Sequence, residues 1–225
     1  MAIILDPKGF YWAETEALNS LDQRRTNARY IRNTCITDSW AFMCPGHENS
    51  PVSPWTLHAI AAFLGNVRVE SWINPGLYQG FTVNPANGYG LVQWTPGTLL
   101  LNWANGLNYP TYDIDVQLAR LQYESDNNLE WYPAGNYTYI RTFQQFITTT
   151  QYTYWELTGA FWVNYLRSAA SSNPDSEEYI ASLNARVDAA EGWYDYLTRT
   201  PAEPPWRPSS ASDSLMYYYR RQRRF

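Results

Sequence analysis

AIAAFLGNVRVESWINPGLYQGFTVNPANGYGLVQW, residues 59–94, decides the fold. Ile60, Phe63, Leu64 and Val67 recur at i, i+3, i+4 and i+7, the spacing of one buried helical stripe. Ser53-Pro54 predicts the start of that helix, with Ser as N-cap and Pro at the first helical position. Asn74-Pro75-Gly76 predicts its end. Gly65 and the pair Ala61/Ala62 are small, so a second helix can approach closely. From Leu77 the pattern changes. Asn84-Pro85-Ala86-Asn87-Gly88 is a turn signal between two short aromatic and β-branched runs, Tyr78 to Val83 and Tyr89 to Trp94. A β-hairpin or a short irregular sheet is expected there.

Glu70 falls two turns after Phe63 and shares its face, so its carboxylate is expected at the edge of the core. A glutamate in the last turn of a helix meets the negative end of the helix dipole. Partial burial beside Phe63 adds desolvation, and both effects are expected to raise its pKa. A carboxyl group that keeps its proton near neutrality can protonate a leaving oxygen. The segment that follows offers neutral polar groups (Asn84, Asn87, Tyr89, Gln93) and glycines, Gly80, Gly88 and Gly90, that let backbone approach a ligand. The alternative is a helix-end glutamate with a local hydrogen bond and no chemistry.

Outward from this stretch, the chain reads as mainly α with a small β-hairpin, an α+β class. Asp6-Pro7-Lys8-Gly9 is a turn. Glu14–Arg25 predicts a short helix with Ala17, Leu18 and Leu21 on one side, and Thr26–Ile36 another. After Trp94, helical spacing resumes over Thr98–Asn105, with Leu99, Leu100 and Trp103 inward, and over Asp113–Asn127, with Ile114, Leu118, Leu121 and Tyr123 buried. Further helices are expected over Tyr139–Phe146, Thr153–Leu166 and Glu177–Leu197. The apolar set of the last is Tyr179, Ile180, Leu183, Val187, Trp193 and Tyr194. TPAEPPWRPSSASDS then carries four prolines and four serines and reads as a tether. The expected division is an N-terminal arm, 1–25, a domain, 26–198, and a tether with an aromatic-basic tail, 199–225.

A chain of 225 residues, 45% apolar and 16% charged, can bury one sizeable core. The net charge of −5 argues against nucleic acid as the main ligand. Lys8 is the single lysine. The tail YYYRRQRRF concentrates arginine and reads either as a solvated end or as a docking peptide. MAIILDPKGF lacks a basic region followed by a long apolar run, so no signal peptide is expected. No stretch reaches the length of a membrane span. Cys35 and Cys44 permit a disulfide without demanding one. A zinc site from Cys35, Cys44, His47 and His58 can be drawn, but its spacing fits no standard finger and Pro45-Gly46 favours a plain loop, so neither metal nor cofactor is expected. Tyr and Trp number 19 and 11, enough to fill a core and leave some rings to stack on sugars or assembly partners.

GNVRVESWINPGLYQ, GYGLVQWTP and NWAN together resemble the phage tail lysozyme family. Its members include the N-terminal lysozyme domains of tail-knob peptidoglycan hydrolases in small Bacillus podoviruses. The pattern is similar to that of goose-type lysozymes and lytic transglycosylases. A weaker likeness continues through Tyr123-Glu124, Phe161 to Tyr165 and Trp193-Tyr194. The resemblance implies a lysozyme-like fold with a glycan cleft between a helical lobe and the hairpin. It implies Glu70 as catalytic acid and Gln93 as the residue facing the sugar, with Tyr89 and Gly90 shaping the hairpin beside Trp94. Tyr165 takes the place of a cleft tyrosine. Leu166 stands where related proteins often carry Glu. The hairpin holds no Asp or Glu, so a second carboxylate would have to come from Asp113, Asp115 or Glu124, each of which also reads as structural. Without one, a water or the muramic acid's own hydroxyl would attack, and the sequence leaves both open.

The implied function is a virion-associated glycosidase, carried in a tail tip or inner core, that cuts β-1,4 bonds of the cell-wall glycan during genome entry. Its partners would be peptidoglycan strands and other tail or inner-core proteins. The alternative is a structural tail protein that keeps the fold with weak or no activity. A free endolysin is a third reading, disfavoured by the lack of a wall-binding repeat.

Overall fold

The computed structural model describes residues 2–37, Pro45 and 53–201. The chain is mainly helical, with one two-stranded antiparallel sheet among the described residues. The sheet lies in the N-terminal segment and not after α2. β1 (Ile4–Leu5) pairs with β2 (Tyr11–Trp12) in the register Ile4 to Trp12 and Leu5 to Tyr11. The Asp6–Gly9 turn closes it, with Gly9 at φ 93° donating to the Asp6 carbonyl at 2.8 Å.

The helices are α1 (Leu21–Cys35), α2 (Leu57–Ser71), α3 (Thr98–Gly106), α4 (Ile114–Asp126), α5 (Phe143–Thr148), α6 (Tyr154–Phe161) and α7 (Glu177–Arg199). One helix, α1, replaces the two expected over 14–36. Ser20 is extended and marks its start, while Ala17 and Leu18 are buried from irregular chain ahead of it. α2 starts later than Ser53-Pro54 predicts, because the Thr56 hydroxyl caps it by accepting from the Ala59 amide at 3.2 Å. α5 starts at Phe143, capped by Thr142. The helix expected to run to Leu166 is regular only to Phe161 and then widens into a π turn over Trp162–Leu166.

α2 is the centre of the molecule, packed against α7, α6, α1 and α5. The expected single stripe understates it: every residue from Ala59 to Val67 is buried. A helix enclosed on all sides must be apolar or small on all sides, and AIAAFLGNV is. Gly65 permits the tightest contact. A Cβ there would stand 2.5 Å from the Arg186 carbonyl and 2.7 Å from Ala190 Cβ, so α7 lies directly on the α2 backbone. Aromatic side chains fill the far side, where Phe63, Phe143, Phe146 and Phe161 surround Trp55 and Trp131. Two residues expected inward are exposed, Leu99 at 40% and Ile180 at 51%. Leu100 on α3 and Arg186 with Ala190 on α7 are buried on those helices instead.

The end of α2 comes before Asn74-Pro75-Gly76. Trp72 and Ile73 both turn left-handed, at φ 58° and 60°, and their amides close on the Val67 carbonyl. Asn74, fully buried, then exchanges hydrogen bonds with the Ala13 backbone at 3.1 and 2.8 Å. Asn27 on α1 grips Tyr11 in the same way and donates to the Ile73 carbonyl at 2.8 Å. Two buried amides therefore fasten the N-terminal segment to the end of the central helix. Among the described residues, no helix is long and apolar enough to cross a membrane.

Candidate active site

Residues 77–94 form an irregular loop tied by single bridges, Tyr78 with Tyr89 and Tyr89 with Trp94. Its backbone bonds are mostly turns and isolated pairs, such as Gln79 to Gly88, Gly90 to Leu77 and Tyr89 with Trp94, and side chains take several of the rest. Gln117, fully buried on α4, accepts from the Leu91 amide at 2.8 Å and donates to the Pro75 and Thr111 carbonyls at 2.6 and 2.8 Å. Gly90, at φ 84°, lies so close that a Cβ would sit 2.9 Å from Gln117 Oε1. The loop is thus moulded onto α4. Its link to α2 is Ser71, whose hydroxyl donates to the Leu91 carbonyl at 2.8 Å. That bond ties the helix end that carries Glu70 to the loop, but Glu70 itself is not among the residues that line the cleft described next.

A cleft of about 170 Å³ opens next to this loop, lined by Gln93, Trp94, Thr95, Glu130, Tyr165 and Arg167 among others. Three of the residues expected to bind substrate, Gln93, Trp94 and Tyr165, therefore share one wall. Tyr89 and Gly90 do not reach it. Tyr89 is 2% exposed, its hydroxyl pairs with Thr111 at 3.1 Å, and burial raises its pKa far above the ordinary phenol value. Both residues shape the loop from behind. Gln93 spends its amide donors on the Leu77 and Gly90 carbonyls at 3.0 and 2.8 Å. Two of the non-glycine residues with left-handed backbone, Gln93 at φ 55° and Arg167 at φ 49°, line this cleft. Such backbone is costly for residues with a Cβ and tends to concentrate where a side chain must be aimed.

Glu124 is the anchor behind the wall. Its carboxylate is fully buried and accepts from Trp94 Nε1 at 3.1 Å to each oxygen, from Arg120 Nε at 2.6 Å and from the Tyr165 hydroxyl at 2.5 Å. Burial and this neighbouring carboxylate push the Tyr165 phenol well up. With every donor turned on it, Glu124 is a structural acceptor. Asp113 and Asp115 are committed as well. Asp113 caps α4, and Lys8 Nζ reaches both acids, at 2.6 and 3.0 Å. The carboxylate that does line the cleft is Glu130, paired with Arg167 and raised in pKa by burial.

Glu70 departs from its expected surroundings. Its side chain is 21% exposed and its Oε1 accepts from Arg186 Nη2 at 2.7 Å, an ion pair spanning 116 residues of sequence. The side chain held against it is a buried cation from α7. Arg186 sits on the apolar face of α7 and is 3% exposed. The one sequence signal for this pair is register. Arg186 falls in step with Leu183, Ala190, Trp193 and Leu197, a charged residue in an apolar stripe. Glu124 falls likewise in step with Ile114, Leu118 and Leu121.

Cys35 is a free thiol, fully buried, with its pKa raised well up by that burial. His58 faces the Tyr152 carbonyl at 3.2 Å. Cys44 and His47 lie outside the described residues. Among the described residues, no group of three His, Cys, Asp or Glu side chains could hold a metal ion.

Residues 53–197, from the start of the segment before α2 to the end of α7, match the family model described as phage tail lysozyme. The chain belongs to the phage tail lysozyme family. Among relatives, it is 36% identical over 180 residues to Morphogenesis protein 1 of Bacillus phage B103. That alignment covers 80% of this chain and 41% of the phage B103 protein, so the chain spans about two fifths of that relative's length. The matched region takes in α2, the irregular loop, the cleft and Arg186, but not the β1–β2 sheet.

Proposed function

We propose that this chain is a virion-associated peptidoglycan glycosidase that cuts β-1,4 bonds of the wall glycan during genome entry, with Glu70 as its general acid. The observation that carries the reading is positional. Glu70 ends the central helix, and the Ser71–Leu91 hydrogen bond ties that helix end to the loop lining the cleft. Oε1 is held by Arg186, while Oε2 takes no hydrogen bond from the described residues and is the oxygen free to meet a ligand. In the reaction the Glu70 proton passes to the glycosidic oxygen as its bond to the sugar carbon breaks. The loop carries no carboxylate and Glu130 in the cleft is paired with Arg167, so the attacking group in this reading is a water or the substrate's own hydroxyl. Trp94 and Tyr165 line the cleft although only 5% and 7% exposed, and both are locked in place by Glu124.

The test is the clearing of purified cell wall by wild type and by Glu70→Gln. Wild type clears, and the variant is expected to lose at least about 100-fold, the scale of a lost general acid. Equal clearing by both removes Glu70 from the chemistry. Mass analysis of the released fragments separates simple hydrolysis from an anhydro product. Detection of the protein in purified particles supports its place in the virion, and its absence there favours a free lysin.

A second reading has two observations behind it: the related protein is named for morphogenesis, and the Glu70 carboxylate is engaged by an arginine. Here the chain is a structural tail component with weak or no activity. Folded wild-type protein that clears no wall would establish it.

A further inference from the structure

We infer that Arg186 is the positioning residue for Glu70, fixing the orientation of the carboxylate that delivers the proton. The inference rests on the reading of Glu70 as the acid, and it goes beyond that reading by assigning a role to a residue of α7.

Four observations carry it. The guanidinium is buried, with its side chain 4% exposed, and among the described residues Glu70 is its ion-pair partner. Nη2 donates to Oε1 at 2.7 Å, while Nη1 reaches the Asn66 carbonyl one turn earlier on α2 at 3.5 Å. The guanidinium also stands 5.2 Å from the Trp162 ring centroid, which fixes it against the π turn that carries Tyr165. Finally, Gly65 lets α7 lie against α2, so backbone contact sets the height of Arg186 on Glu70. The buried Nε has no hydrogen-bond partner among the described residues. A fork with one unmet donor is an expensive element of a core, and stability alone does not call for it.

The other charges nearby are occupied elsewhere. On α2, Arg68 lies over the Trp72 ring at 3.9 Å. On α1, Arg24 binds the Leu18 and Asn19 carbonyls, and Arg32 binds those of Leu197, Thr200 and Pro201. On α6, Glu156 is spent in its capping box, and on α7, Asp188 and Glu191 are exposed. α5 carries no charged side chain. Arg186 is therefore the charge that Glu70 feels at contact distance. Without that contact the Glu70 carboxylate has no fixed orientation.

The experiment measures the maximal rate of wall clearing and the half-saturating amount of wall for wild type, Arg186→Met, Arg186→Lys and Glu70→Gln, with thermal unfolding of each. For Arg186→Met the maximal rate is expected to fall about tenfold with half-saturation unchanged. Arg186→Lys keeps the charge but not the fork, so it recovers part of the rate and its drop is severalfold. A folded Arg186→Met with the wild-type maximal rate overturns the inference. Should Arg186→Met not fold, Arg186→Lys decides: a lowered maximal rate at unchanged half-saturation supports the positioning role, and an unchanged rate overturns it. A Glu70→Gln variant as active as wild type would instead sink the reading of Glu70, a result separate from any effect at Arg186.

Discussion

Glu124 shows how one buried charge organises side chains from three parts of the chain. It joins Trp94 of the loop, Arg120 of its own helix and Tyr165 of the π turn, two of which face the cleft. Glu124→Gln keeps the shape but removes the anion, and it turns an amide donor toward a site that already holds three donors. Arg120, 8% exposed, is left without its carboxylate. The expected cost is about 3–5 kcal/mol, the scale of breaking a buried pair by neutralising one partner. It would be read from the urea midpoint, with Trp fluorescence reporting the loosened Trp94. A cost below about 1 kcal/mol would show that the cluster is held by packing alone.

Helix packing places the candidate acid. α7 lies on α2 because Gly65 presents bare backbone to the Arg186 carbonyl and to Ala190. In Gly65→Ala the new methyl group would stand 2.5 Å from that carbonyl, so α7 must shift. Overpacking of this kind costs about 1–3 kcal/mol. Because the displaced carbonyl belongs to Arg186, wall clearing is expected to fall more than the stability loss explains at temperatures where the variant stays folded. Clearing at the wild-type rate would mean that the Glu70–Arg186 contact tolerates helix movement. The break after α2 has a similar logic. Two successive left-handed residues, Trp72 and Ile73, are held by bonds to Val67 and Asn27 rather than by a glycine.

Across the whole molecule, the single lysine fastens the N-terminal segment to α4. Lys8 meets Asp113 and Asp115, two carboxylates that repel each other. Burial first, then Asp115, pushes Asp113 from 3.8 up to about 6, with Lys8 opposing both. The folded chain therefore holds this proton more tightly than the unfolded chain. Between those two values the folded state binds more protons, so the stabilising contribution is full below about pH 4 and is lost as pH rises through about 6. Lys8→Met removes the opposing cation. It is expected to cost about 3 kcal/mol at pH 7 and clearly less at pH 4, measured by chemical unfolding at the two pH values. An equal cost at both would show that the lysine acts through packing alone.

The sequence by itself determined the central helix, the turn at Asp6–Gly9, the extents of α3, α4 and α7 to within a residue or two, and the class, mainly α with a small β element. These are properties of local spacing and of turn chemistry, which neighbouring residues settle among themselves. It also marked Glu70, Gln93, Trp94 and Tyr165, because their motifs resemble those of one family. Tertiary structure decided the rest. The strand pair formed at residues 4–12, while the later loop closed on itself in isolated bridges and on Gln117 and Ser71 across distances that local spacing does not encode. Tyr89 turned inward, its hydroxyl on Thr111. Glu70 met a cation 116 residues away. Periodicity shows that Arg186 and Glu124 lie on buried faces, but only the packing of α7 on α2, and of α4 against the loop and the π turn, determines which charge each one meets.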